Sequence, residues 1–261
     1  MRWKVMLDFL RDIFSALSHA AGDGADKEEP APAPDVPTVD TVTGWAGEPP
    51  YRYVDVSRWQ GTIDWAKVKA AGYRGAMLRA VGNRNGKPYI DPTFEINYAG
   101  ATAAGLDVGV YYYAKATTKA GADKELAMLR SVLMGKTFTM PIAVDVEDGI
   151  LAALNQQELS NLVAYALHEV EEMGFYAQLY TYTSFANRYL FMGGASLSPF
   201  DVWLADYTGK APKVDFAYNA HQHTSKGSVP GISGNVDLNV TTINYPSIIR
   251  KKGLTRLREG A

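Results

Sequence analysis

From Tyr51 onward, short apolar runs alternate with amphipathic stretches, and this alternation restricts the fold more than any other feature of the chain. The apolar runs have the length and composition of buried β-strands, and the stretches between them have helical periodicity. Repeated strand–helix units imply a parallel sheet that is covered by helices. The predicted strands of these units are residues 53–56, 75–80, 107–113, 140–146 and 177–182. The predicted helices are residues 64–71, 91–105, 118–134 and 155–174.

Two of the helix starts carry specific signals. Asp91 followed by Pro92 predicts an N-cap and a first-turn proline. Asn155, with Glu158 three residues later, predicts a capping box at the start of a long helix that ends at Gly174.

The last third of this region has shorter connections. Three further strands are predicted at residues 201–205, 217–223 and 236–239. Eight strands favour closure into a barrel, and an open doubly wound sheet is the structural alternative. No Gly-rich phosphate loop follows any predicted strand, and no repeat with a solenoid period is present.

The chain is predicted to consist of four segments. Residues 1–20 form an amphipathic helix, because their apolar side chains recur at helical spacing. Residues 21–50 are polar, acidic and proline-rich, which predicts an extended linker. Residues 51–247 form the main domain, and residues 248–261 form a basic C-terminal tail. The N-terminal helix is expected to dock on the main domain or on a partner protein. Attachment to a membrane surface is less favoured, because the polar face also carries acids.

Composition excludes several classes of protein. The net charge of −2 and the pI of about 6.1 provide no basic field to hold nucleic acid. Because the chain has no cysteine, disulfides and cysteine-ligated zinc are excluded. No apolar run reaches the roughly 18 residues of a membrane span. The first four residues resemble the start of a signal peptide, but Asp8, Arg11 and Asp12 interrupt the apolar run that such a peptide needs.

Acidic side chains stand near the ends of four predicted strands, where a barrel of this kind has its active site. They are Asp55, Asp145, Glu147, Asp206 and Asp237. Asp145 and Glu147 are two residues apart, so on a strand both face the same side, with Cα atoms roughly 6.5–7 Å apart. The apolar run before them places the pair between a core and a solvent-facing mouth. There the pKa of one carboxyl can rise while its neighbour stays ionised, as general acid catalysis of glycoside cleavage requires.

Other interpretations of these acids stay open. One is a structural role, in which the acids cap a loop or pair with lysines. A site for Mg²⁺ or Ca²⁺ is a weaker alternative, since both ions prefer oxygen ligands but no phosphate-binding loop accompanies these acids. His221 and His223 share a strand face, but no third zinc ligand is evident. Ser57 and Ser184 lack a His/Asp partner pattern, which disfavours a serine hydrolase. We therefore predict neither a metal nor a cofactor.

Aromatic residues cluster at the same strand ends. They are Trp59, Tyr111, Tyr112, Tyr113, Tyr180, Tyr182, Trp203 and Tyr207. Alternation along a strand turns about half of them into the core. The others would line a groove at the mouth. Aromatic faces with carboxylates between them fit a polysaccharide better than a small anionic metabolite.

Several sequence elements resemble the glycoside hydrolase family 25 lysozymes. The stretch YVDVSRWQG at residues 53–61, followed by IDW at 63–65, resembles the opening of that family. Asp145-Val-Glu147 resembles its Asp-x-Glu signature, and WLADY at residues 203–207 resembles its Trp-x-Ala-x-Tyr element. Gln222 and the stretch from Gly231 to Asn239 resemble its closing segment. The elements keep the family's order over about residues 51–245.

The resemblance implies an irregular TIM-like α/β barrel of five β/α units followed by three strands. It also implies an N-acetylmuramidase that cuts the β-1,4 bond between N-acetylmuramic acid and N-acetylglucosamine in peptidoglycan, by a substrate-assisted retaining mechanism. Glu147 would be the general acid/base, and Asp145 would stabilise the substrate's N-acetyl group as it attacks. Asp55 and Asp237 would complete the site and hold the charge state of the pair.

The candidate substrate-binding residues are Arg79, Tyr113, Tyr182, Trp203, Tyr207 and Gln222. Around Arg79 the sequence reads LRAVGN, whereas many relatives have a stretch like Lys-Ala-Thr-Glu-Gly. No wall-binding repeat follows residue 245. The expected place of action is extracellular or at the cell wall, by secretion or phage delivery. The alternative functions are a non-catalytic glycan-binding module and a structural component of a phage-like assembly.

Overall fold

The computed structural model describes residues 51–258, so the predicted N-terminal helix and linker lie outside the described residues. The described strands are β1 (Tyr51–Val56), β2 (Gly75–Arg84), β3 (Lys87–Ile90), β4 (Asp107–Tyr113), β5 (Ile142–Asp145), β6 (Ala177–Tyr182), β7 (Asp201–Ala205), β8 (Ala220–Gly227) and β9 (Val236–Thr241). The α-helices are α1 (Trp65–Ala70), α2 (Phe94–Ala103), α3 (Lys119–Leu133), α4 (Gln156–Glu172), α5 (Thr183–Tyr189) and α6 (Tyr245–Lys252). Short 3₁₀ helices, Arg58–Gln60 and Gly149–Ala153, follow β1 and β5.

Eight of these strands close into a barrel. Neighbours run in the order β1-β9-β8-β7-β6-β5-β4-β2, and a parallel pairing of β1 with β2 joins the two ends. Strand β3 pairs with the distal part of β2, outside the ring. The irregular barrel predicted from the sequence is confirmed, and the open-sheet alternative is wrong. The sheet is not parallel throughout, because β9 runs antiparallel to both β1 and β8.

Strand alternation separates the barrel interior from the layer under the helices. In β1, Tyr53 packs in one buried cluster with Met77 and Trp203, whereas Val54 and Val56 belong to a second cluster that includes the apolar stripes of the helices. Each fully buried aliphatic side chain contributes about 1.5–3 kcal/mol to the free energy of unfolding. Asp55 has the same parity as Tyr53, so its carboxyl points into the barrel.

Several predicted elements are confirmed at their boundaries. Strands β4, β6 and β7 have the predicted ends. The capping box of α4 is also present. The Asn155 side chain accepts a bond from the Glu158 amide at 2.9 Å, and the Glu158 carboxylate accepts one from the Asn155 amide at 3.1 Å. An N-cap of this kind contributes about 1 kcal/mol.

The predicted N-cap at Asp91 is wrong. Helix α2 begins after Thr93, and Asp91 with Pro92 lies before that N-cap. The Asp91 carboxylate instead accepts backbone bonds from Arg58 and Thr93 and forms an ion pair with Arg79. A side chain that looked like a local cap therefore joins three separate segments of the chain.

The second predicted strand is longer than expected. It continues from the predicted end at Ala80 to Arg84 and returns as β3. Asn85 and Gly86 form the turn with φ of 53° and 75°, the left-handed values of a two-residue hairpin turn. Gly82 is needed here, because a Cβ at this position would lie 2.5 Å from the Tyr89 ring.

Later segments differ in smaller ways. The predicted strand 140–146 is shortened to Ile142–Asp145, and the predicted strand 217–223 is shifted to Ala220–Gly227. The predicted boundary between residues 247 and 248 falls inside α6, whose Tyr245 and Ile249 are buried. No helix of the described residues is long and apolar enough to cross a membrane.

Candidate active site

Four carboxyl side chains line one cavity of about 180 Å³ at the mouth of the barrel. Asp55 lies at the end of β1, Asp145 at the end of β5, and Glu147 two residues farther along. Asp237 stands at the beginning of β9. Because β9 is antiparallel, its first residues reach the rim where β1 ends, and Asp237 is the register partner of Asp55. The fold thus brings the four acids together from three strands.

Asp55 is held by two amide side chains. Its Oδ2 accepts bonds from Gln222 Nε2 and Asn239 Nδ2, each at 2.8 Å. Burial and the charge of Asp237 raise the pKa of Asp55 well above its ordinary value, and the two amide donors oppose that rise. Asp55 is therefore a fixed wall of the cavity rather than a mobile proton carrier.

Asp145 has an unused acceptor inside the cavity. Its side chain is 3% exposed, and Oδ1 has no hydrogen-bond partner among the described residues. Burial, together with the charges of Glu147 and Asp55, raises the pKa of Asp145. A buried acceptor without a partner is costly, so a ligand that brings an N–H or O–H group to this point gains a hydrogen bond.

Glu147 titrates near neutral pH. Burial, followed by the charges of Asp237 and Asp148, raises the pKa of Glu147 to about 7, and burial raises the pKa of Asp237 to about 6. These acids titrate as a coupled group, because like charges this close cannot all ionise. A carboxyl with a pKa near the working pH is suited to both giving and taking a proton.

Asp148, next to Glu147, carries a second small network. Its Oδ2 accepts a bond from Tyr113 OH at 3.1 Å and pairs with Lys115 Nζ at 2.8 Å. Its Oδ1 accepts from the Ile150 amide at 2.9 Å. The hydroxyl of Tyr113, a predicted sugar contact, is one of the donors to Asp148. These contacts fix the chain directly after Glu147.

Two of the predicted sugar contacts form the floor of the cavity. Trp203 is 1% exposed, and its Nε1 donates to Asn239 Oδ1 at 2.8 Å. Gln222 uses both ends of its amide within the protein, since its Oε1 accepts from Tyr180 OH and Tyr207 OH while its Nε2 binds Asp55. Both side chains position the acids and present little surface to solvent.

Tyr182 and Tyr207 are the exposed aromatics of the mouth, at 36% and 52%. With Glu147 they line a neighbouring cavity of about 400 Å³. The predicted rim acid Asp206 lines this second cavity as well, where its carboxylate is bound by Thr183 and Thr208. The two cavities share Glu147, Tyr180 and Tyr207, so they adjoin at the acid.

Three residues of the site are not among the substrate-binding candidates chosen from the sequence, although Tyr111 and Tyr180 belong to the predicted aromatic cluster at the strand ends. Tyr111 and Tyr180 line the acid cavity, and Asn239 holds both Asp55 and Trp203. Asn239 is two residues from Asp237 on β9, so its position on the same strand face was the available signal. Arg79 lies behind the cavity in its ion pair with Asp91 and is the register partner of Tyr111.

The histidines have structural environments in the described part of the chain. His221 Nε2 lies 3.0 Å from the Asp206 carbonyl oxygen. The rings of His221 and His223 are 6.1 Å apart. Within residues 51–258, no group of three His, Cys, Asp or Glu side chains is arranged to hold a metal ion.

Glu147→Gln is expected to stabilise the protein more at pH 8 than at pH 5. Because the folded protein binds the Glu147 proton more tightly than the unfolded chain, this carboxyl favours folding below its ordinary pKa of 4.5. That contribution is lost as the pH rises through about 7. The difference is on the order of 3 kcal/mol, or several degrees in Tm. Thermal unfolding of both proteins at the two pH values measures it.

The surface substitution Glu172→Gln on α4 provides the control, because its side chain is 79% exposed. Its effect on Tm should be small and similar at both pH values. An equal effect of Glu147→Gln at pH 5 and pH 8 would contradict the raised pKa.

Comparisons with a protein family and with individual proteins agree with each other. The sequence profile described as "Glycosyl hydrolases family 25" matches residues 54–232, which is more than half of the chain. The chain is 30% identical to the "Autolytic lysozyme" of Clostridium acetobutylicum over 185 residues, and 29% identical to "Lysozyme M1" of Streptomyces globisporus over 207 residues. Each match covers 71% of this chain. The chain spans only 54% and 66% of the length of those two relatives.

The fold is also found in solved structures. The bacterial lysozyme from Streptomyces coelicolor superposes with a TM-score of 0.64 at 24% sequence identity, over 74% of this chain and 92% of that one. At this identity the likeness concerns the fold alone.

Proposed function

The chain belongs to glycosyl hydrolases family 25, and from this membership we propose that it is an N-acetylmuramidase acting on peptidoglycan. The bond cut is the β-1,4 linkage between N-acetylmuramic acid and N-acetylglucosamine. The observation that carries the proposal is the unused Oδ1 of Asp145 beside Glu147, whose pKa is about 7. An acetamido N–H can donate a hydrogen bond to Asp145 Oδ1. A glycosidic oxygen that needs a proton can receive it from Glu147.

In the first step, Glu147 donates its proton to the glycosidic oxygen as the bond from that oxygen to the anomeric carbon breaks. The carbonyl oxygen of the substrate's 2-acetamido group forms a new bond to the same carbon from the opposite side. Asp145 accepts the acetamido N–H and stabilises the positive charge that develops on the oxazolinium ring. The substrate thus supplies its own nucleophile, and Asp145 is not bonded to the sugar.

In the second step, the ionised Glu147 takes a proton from water as the water oxygen attacks the anomeric carbon. The ring opens, the acetamide is restored, and the carboxylic acid is regenerated. Two displacements at one carbon retain its configuration. Asp237 supports the cycle, because its negative charge helps to keep the pKa of Glu147 near 7.

The other site residues support this chemistry from the exposed mouth of the site and from its buried floor. Tyr182 and Tyr207 present exposed rings on which sugars stack. Trp203 and Gln222 form the floor. Gln222 binds Asp55 directly, and Trp203 binds Asn239, which in turn binds Asp55. Tyr113 and Arg79 act indirectly through Asp148 and Asp91.

We propose the four-segment organisation that the sequence predicts, with the catalytic domain starting at Tyr51 and extended from residue 247 to the end of α6, because Ile249 of that helix is buried. The start of β1 at Tyr51 and the family match from residue 54 support the first boundary. The place of action is proposed to be the bacterial cell wall, since a named relative is an autolytic lysozyme. Residues 1–20 are proposed as a docking segment for a protein partner.

Analysis of the reaction products tests the proposed bond. Purified peptidoglycan is digested with the full chain, the new ends are reduced with borohydride, and the fragments are identified by mass spectrometry. We expect reduced muramic acid at every new end. Reduced glucosamine would show that the other glycosidic bond is cut. Wall binding without new ends would point to a non-catalytic glycan-binding module.

A further inference from the structure

An arginine–aromatic ridge, formed by Arg58, Trp59, Arg84 and Tyr89, stands at the mouth of the barrel. Arg58 and Trp59 directly follow β1, and Arg84 and Tyr89 belong to the hairpin of β2 and β3. Strand β2 pairs with β1 as far as Leu78 and then continues to Arg84, so the hairpin extends beyond the rim on the side where Asp55 lies.

The ridge is partly exposed, with Trp59 and Arg84 exposed and Arg58 and Tyr89 half-buried. Trp59 is 71% exposed. The Arg58 guanidinium lies 4.6 Å from the centre of the Trp59 ring and 5.6 Å from that of Tyr89, and Arg84 lies 5.6 Å from Tyr89 on the same hairpin. Among residues 51–258, neither arginine forms an ion pair. Two guanidinium groups ordered by aromatic rings and left without a carboxylate are suited to bind one.

The ridge is connected to the reacting end of the site. The Arg58 amide donates to Asp91 Oδ2 at 3.2 Å, and the same oxygen pairs with Arg79 at 2.6 Å. Arg79 is the register partner of Tyr111 in the cavity wall, and its charge acts on Asp145. A chain of short contacts therefore fixes the ridge relative to the carboxyl group that would hold the acetamido group.

We propose that this ridge is a subsite for the acidic peptide stem that peptidoglycan carries on its muramic acid residues. The inference rests on the proposed function, and it adds that the ridge recognises the peptide part of the substrate. Four acids line the cavity, so the free carboxylates of a stem are repelled there and attracted to the cationic ridge. The ridge thereby distinguishes peptide-bearing strands from bare glycan.

The test compares two substrates for the full chain. One is peptide-bearing peptidoglycan, and the other is the same glycan after an amidase has removed its peptides. For the double substitution Arg58→Gln and Arg84→Gln, KM on the peptide-bearing substrate should rise about tenfold while kcat is unchanged, as expected for two solvent-accessible charge contacts. Kinetics on the bare glycan should stay the same. The difference between the substrates should shrink with added salt.

Two further variants sharpen the result. Arg58→Lys keeps a charge, so it should retain much of the preference that Arg58→Gln loses. Arg52→Gln is the matched control, because this arginine lies 4.5 Å over Tyr73 at the opposite end of β1. Its KM should not change on either substrate. Equal changes on both substrates, or none on the peptide-bearing one, would overturn the subsite alone. Failure of the unmodified chain to cut either substrate would overturn the proposed function as well.

Discussion

Replacing Glu147 with glutamine is expected to reduce kcat/KM on peptidoglycan by at least about a thousandfold. General acid–base assistance contributes about 10²–10⁴-fold to such reactions, and in the proposed mechanism one residue serves both steps. Glutamine has the same shape as glutamate, so the cavity that Glu147 lines with Asp145 and Tyr180 should keep its shape. It cannot release a proton to the leaving oxygen. Reducing-end release from purified walls measures the loss.

The control for this substitution is Glu125→Gln, which changes another glutamate that is only 2% exposed. Glu125 Oε1 accepts bonds from Asn83 at 2.8 Å and from the Lys115 amide at 3.1 Å, and a glutamine oxygen can accept the same two. Activity of Glu125→Gln should stay within about twofold of the unmodified protein. Activity near the wild-type level in a folded Glu147→Gln protein would exclude Glu147 as the proton donor.

The sequence was sufficient to predict the barrel and the position of Asp145 and Glu147. An apolar strand followed by two acids at i and i+2 is a local pattern, and strand geometry carries it directly into space. The order of strands and helices likewise determines the class of fold. These predictions depend on residues that are close in the chain.

The remaining features depend on partners that are distant in the chain. Asp237 is predicted to complete the site, but the physical reason is the antiparallel direction of β9, which short connections do not reveal. Gln222 is predicted to bind substrate, and the sequence does not reveal that its amide donates to Asp55, which is 167 residues away. The hairpin was the exception, since Asn85-Gly86 is a strong local turn signal that was available in the sequence. The predicted elements do not include this hairpin, so they give Arg84 and Tyr89 no place in the fold.

Asp145→Asn is expected to lower kcat about 100- to 1000-fold with little change in KM. Asparagine can still accept a hydrogen bond, but it lacks the charge that stabilises the oxazolinium in the transition state. The matched control is Asp201→Asn. Asp201 Oδ2 accepts from Tyr176 OH at 2.9 Å and Tyr245 OH at 3.0 Å, away from the acid cavity. An asparagine oxygen preserves both of those bonds, so catalysis should be unaffected.

A cycle that combines this variant with a modified substrate identifies the nucleophile. Peptidoglycan whose muramic acid is N-deacetylated lacks the carbonyl oxygen that attacks. If Asp145 acts only through the acetamido group, the unmodified protein loses most of its rate on this substrate, and Asp145→Asn adds little further loss. If Asp145 were itself the nucleophile, the unmodified protein would retain most of its rate on the deacetylated wall, and the substitution would remove it. Because Asp145 Oδ1 is buried without a hydrogen-bond partner, we expect the first result.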